Sequence, residues 1–153
     1  MADAPDILAA VNDYLIGRGI ARDPRTPDSA LPPLWVEEDV PAPGERGTPE
    51  RGDVVLGAQY ATGIPTEPFR SDVRWDGVAF IIRVLDTAAA ITLHARLRDA
   101  FLHGAGPGVG GHLAYDMAGR WVLECREWTS LQPLERTPQG RTFTCEFQFQ
   151  TYA

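Results

Sequence analysis

The chain contains no lysine. All 14 basic residues are arginine, set against 21 acidic ones, for a formal net charge of −7. An acidic surface repels the phosphate backbone, which argues against a protein that wraps nucleic acid, though not against one that lets DNA pass without sticking. Without lysine no phosphate loop can be completed. Cysteine is nearly absent too. Cys125 and Cys145 are the two in the chain and both fall in predicted strands. The start of the sequence lacks a basic segment leading into an apolar one, so no secretion signal is expected, and the thiols are read as buried and free rather than bridged. No apolar run approaches the ~18 residues that a membrane-spanning helix needs. What remains is ordinary: 153 residues, 44% apolar, read as one domain. A chain of that length buries roughly 68–70% of its unfolded surface and needs no staples.

Among the features present, residues 73–104 speak most clearly. Val78, Phe80, Ile82 and Val84 alternate with Ala79, Ile81, Arg83 and Leu85. The period of two predicts a strand, and Ile81 with Leu85 predicts burial of its second face as well. Asp86 offers a side-chain oxygen to the first free N–H groups of a helix. Ala90, Leu93, Leu97, Ala100 and Phe101 then recur at helical spacing. Thr92, Arg96, Asp99 and His103 make the opposite, wetted stripe. Gly104 can close the helix in left-handed geometry.

Elsewhere the pattern is thinner. Ile7, Leu8, Val11 and Leu15 predict a first helix, capped by Asp3 and ended by Gly17 and Gly19. Seven of the 13 prolines lie in 21–52, which reads as irregular apart from a possible short strand over 34–38. Residues 53–60 predict a second strand and 61–72 another irregular loop. Residues 104–119 are dominated by glycine. Residues 120–128 predict a strand, 138–140 a turn and 141–152 a closing strand. In that last strand Phe143, Cys145, Phe147 and Phe149 face in and Thr142, Thr144, Glu146, Gln148 and Gln150 face out. The expected fold class is α+β: a mostly antiparallel sheet of four or five strands with two helices packed on one face.

Candidate chemistry is sparse. Gly106, Gly108 and Gly111 match G-x-G-x-x-G. They follow a helix instead of joining a strand to one, and Pro107 lacks one of the N–H groups such a loop needs, so a flexible connection is the better reading. His94 and His103 are half a turn out of phase on one helix and His112 sits in the glycine loop, so a shared metal is not expected. Ser29, Ser71 and Ser130 lack the flanking glycines of a nucleophile elbow. Glu37, Glu38 and Asp39 read as a solvated edge. No cofactor and no catalytic set are expected. The four tryptophans, Trp35, Trp75, Trp121 and Trp128, carry more information. Trp121 and Trp128 have opposite parity in one strand, so one of them faces away from the core unless a bulge intervenes. A tryptophan on a sheet surface is often a partner contact; the plainer alternative is a strand covered on both faces.

The arrangement as a whole resembles a family. An N-terminal helix leads into a Pro-rich segment. The strand Val-Ala-Phe-Ile-Ile-Arg (78–83) runs into an Ala-rich helix ending Leu-His-Gly (102–104). A late Gly-Arg pair and the aromatic alternation of 143–149 close the chain. This is similar to the minor tail proteins of long-tailed bacteriophages that act as tail terminators. The resemblance covers nearly the whole chain and rests on pattern and order. It implies a small α+β domain whose copies, typically six, ring the head-proximal end of the tail tube in the virion after assembly in the host cytoplasm. Such a ring stops tube growth and faces the head–tail connector proteins, with the tube protein as its other partner. It implies no catalytic residues, and no membrane is involved. Six copies would carry six times the −7 of one chain, and where part of that charge lines the bore DNA would slide through instead of binding. The Pro-rich stretch and the glycine loop are longer than the family pattern requires. Candidate contact residues are Glu45, Arg46 and Arg51 in the first loop, Glu67, Phe69 and Arg70 in the second, and Trp128. The competing readings are another neck or head-completion protein, or a small ligand-binding or enzymatic domain.

Overall fold

The computed structural model describes residues 4–25, 31–37, 55–64, 73–102, 114–137 and 140–152. Two helices, α1 (Ala4–Gly17) and α2 (Thr87–Leu102), accompany six strands: β1 (Leu34–Val36), β2 (Val55–Ile64), β3 (Val73–Val84), β4 (Tyr115–Met117), β5 (Arg120–Thr137) and β6 (Gly140–Tyr152). The strands form one sheet in the order β1-β2-β3-β6-β5-β4. β1 runs parallel to β2, and every other pairing is antiparallel.

This corrects the expected architecture. The sheet has six strands, not four or five; it is mixed, and it curls into a half-barrel. The curl has a local cause. β5 takes the sixteen residues from Val122 to Thr137 to match the twelve from Thr151 back to Gly140 on β6, with register shifts at 122/124, 127/129, 129/132 and 133/135. Each extra residue bends the strand and raises its twist. α1 accordingly touches β1 at one end of the sheet and β4 at the other.

The concave side holds the core. Val78, Phe80, Ile82 and Val84 of β3, and Phe143, Cys145, Phe147 and Phe149 of β6, are buried against Leu93, Leu97, Ala100 and Phe101 of α2 and Ile7, Val11 and Leu15 of α1. The rings of Phe101 and Phe149 meet edge-on at 5.0 Å, and Phe101 lies 5.2 Å from Phe147. The predicted cap forms: Asp86 Oδ1 accepts the Ala88 N–H at 2.6 Å. Leu85 does not join a second buried face, since it is 40% exposed beyond the end of β3. Both cysteines are free and buried.

Three elements depart from expectation, the first being β2, which runs to Ile64, four residues into the stretch read as an irregular loop. β5 continues nine residues past Trp128 to Thr137, and β4 emerges inside the glycine-dominated stretch. β4 and β5 are joined by Ala118 and Gly119 with φ of 50° and 92°. Both being positive marks the hairpin turn whose twist suits flanking strands. Asp116 Oδ1 accepts the Gly119 N–H at 2.9 Å and steadies it.

Candidate functional site

The convex face of the sheet is built from the residues between the core positions. On β3, Trp75 and Gly77 lie on it; on β6, Glu146 and Gln148; on β5, Arg126. Alternation along β3 and β6 places them there, and the register aligns Gly77 with Gln148 and Gln148 with Arg126. The Arg126 guanidinium lies 4.3 Å from the Trp75 ring centroid and 5.1 Å from that of Trp128. Its Nε donates to Gln148 Oε1 at 3.1 Å, and Gln148 Nε2 donates to Glu146 Oε2 at 3.3 Å. A guanidinium stacked between two indoles is held in place while its edge donors stay free to bond. Its terminal amino groups meet no acceptor among the described residues. Trp75 is buried beneath it, whereas Trp128 is 57% exposed.

Trp128 stands at the 127/129 register shift and Trp121 beside the one at 122/124. The bulges therefore resolve the parity conflict: both tryptophans face solvent, Trp121 at 48% exposure. Of the candidate contact residues, Trp128 is the one the structure places. Glu45, Arg46, Arg51, Glu67, Phe69 and Arg70 lie outside the described residues, as do His103, His112, Glu38, Asp39 and the glycine motif at 106–111. Trp75 stands out in the sequence as one of the four tryptophans, but Arg126 does not stand out. The one available signal was the Arg-x-Trp spacing at 126–128, which on a strand sets two side chains on one face.

A second feature lies at the β1 edge, where α1 crosses it. A cleft of about 470 Å³ opens there, with Leu8 and Ala9 of α1 and Val36 of β1 supplying apolar wall and Asp23 and Glu37 supplying carboxylates. Arg25 Nε lies 3.5 Å from Asp23 Oδ1. Glu37 is exposed and has no cationic partner among the described residues.

The remaining polar groups hold the fold together. His94 Nε2 on α2 is 2.6 Å from Glu127 Oε2 on β5, with Arg98 Nε 3.5 Å from the same oxygen, which ties helix to sheet. At one end of the concave side the fully buried Asp76 accepts the Tyr60 hydroxyl at 2.9 Å, and Arg120 Nη2 lies 4.0 Å from its other oxygen. Burial pushes the Cys145 thiol up to about 12, with the Glu127 carboxylate adding to the effect. Burial likewise drives the Cys125 thiol well above its ordinary value. Both are uncharged near neutrality and poor nucleophiles. Among the described residues no three metal-ligating side chains cluster, and no helix is long and apolar enough to cross a membrane. No protein-family model and no curated protein matches the chain.

Proposed function

We propose that this is a structural virion protein whose copies form a ring, typically of six, at the head-proximal end of a phage tail tube. The ring ends tube polymerisation and offers a surface for joining the head. The observation that carries the reading is the solvent-facing Trp128 stacked on the held Arg126. Tryptophan and arginine are the residue types that dominate protein–protein contact energies. The sequence resemblance supplies the setting, and the acidic balance suits a bore through which DNA passes without specific binding.

Electron micrographs of the purified protein, alone and with tube protein, test this directly. Rings with a central hole are the expected result. A monomer at every concentration, with and without tubes, would sink it. Co-purification with headless tails separates a terminator from another neck protein, which would instead follow heads.

A further inference from the structure

The geometry points to a head-to-tail contact in which Trp128 and Arg126 of one copy enter the α1–β1 cleft of the next. This rests on the ring reading and names the two surfaces that would meet.

Three observations carry it. First, the surfaces are unlike and lie on different parts of the subunit. One spans β3, β6 and β5 on the convex face; the other sits beyond β2, under α1 at the β1 edge. A contact between unlike surfaces repeats from copy to copy and closes into a ring when the rotation allows, whereas a self-complementary one stops at a dimer. Second, the chemistry is complementary. Trp128 presents an exposed indole, and the cleft offers the exposed Ala9 and the half-buried Val36. Arg126 presents amino groups that meet no acceptor among the described residues, and the cleft carries Glu37, which has no cation among them. A bidentate guanidinium–carboxylate pair beside a buried aromatic is the usual make-up of a contact centre. Third, β5 is poorly suited to the alternative of adding a neighbour's strand at its own edge. Four register shifts and Pro133 interrupt its outer side, and such features block edge-to-edge pairing.

One-sided variants test the arrangement. Trp128→Ala removes the insert and Ala9→Arg fills the cleft; both positions are solvent-exposed, and thermal melts check that each variant folds. Sedimentation velocity and native mass spectrometry read the association state. Each variant alone should lose self-association by at least roughly tenfold. Mixed together they should form a 1:1 heterodimer and nothing larger, because the intact cleft of Trp128→Ala accepts the intact Trp128 of Ala9→Arg. Rings that survive either substitution would overturn this contact and leave the ring reading standing. Two crippled variants that fail to combine would also overturn it, whether Trp128 meets its own symmetry mate or the chain's own residues fill the cleft. Complementing variants of a wild type that forms open filaments would support the contact and remove the ring. A wild type that stays monomeric overturns both.

Discussion

Phe147 shows how one side chain is read from pattern and placed by packing. It is fully buried, 5.2 Å from Phe101 and 6.0 Å from Phe80. Phe147→Ala should cost on the order of 3–5 kcal/mol, because the cavity adds to the lost transfer energy. A denaturant midpoint unchanged by the substitution would show that the strand phase is wrong. Cys145 makes a different prediction. Its ordinary value is 9.0, and burial raises it in the folded state to about 12. Below pH 9 the thiol is neutral in both states and the folded form is unaffected. Between about pH 9 and 12 the unfolded chain ionises while the folded one resists, so stability falls as pH rises. The loss is at most roughly 1.4 kcal/mol per pH unit for one thiol. Cys145→Val should make that alkaline slope shallower, with the share of Cys125 remaining, in a pH series of melts, and leave the neutral region nearly level. An unaltered slope would assign the alkaline loss to other groups.

At the scale of elements, the hairpin of β5 and β6 decides the shape. β6 begins at Gly140, whose φ is 146° and where an added Cβ would lie 2.5 Å from the Val84 carbonyl oxygen. That clash is with backbone of the neighbouring strand, so side-chain movement cannot relieve it. Gly140→Ala should therefore cost roughly 1–3 kcal/mol and lower the melting temperature. A neutral result would mean that the start of β6 sits farther from the end of β3. The helix α2 was legible from its sequence because its buried set, Ala90, Leu93, Leu97, Ala100 and Phe101, keeps one period throughout. β5 was not, because each bulge resets the alternation. Beyond Trp128 the burial is low, with Leu134 at 61% exposure, so no inward stripe announces the last nine residues as strand. β4 is three residues long and was hidden by the glycines around it.

For the molecule as a whole, Tyr14 is the residue that holds the curl. From α1 its hydroxyl donates to the Ala100 carbonyl of α2 at 2.8 Å, and its ring meets Tyr115 of β4 at 5.6 Å and Phe101 at 6.0 Å. One side chain thus joins both helices to the far edge of the sheet. Tyr14→Phe should lose about 1 kcal/mol, the net value of one hydrogen bond, although the Ala100 carbonyl is left to find another donor. Tyr14→Ala should lose about 3–5 kcal/mol, by analogy with other buried aromatics. It should also speed amide exchange in β4 more than in β3, since among the described strands β4 pairs with β5 alone. Equal losses for the two variants would reduce the role of the ring to that of its hydroxyl.

The sequence by itself determined the local elements and their inward faces: the two helices, the Asp86 cap, and the core side of β3 and β6. These follow from spacing within a dozen residues, where backbone geometry alone sets which side chains share a face. It also determined the acidic, lysine-free surface. Only the tertiary structure decided the strand order, the parallel edge at β1, the curl, and the meeting of Trp75, Arg126 and Trp128. Those depend on register between strands, some of them distant in sequence as β3 and β6 are, and on four bulges. A bulge has no fixed residue signature, and a single one moves every later side chain to the opposite face.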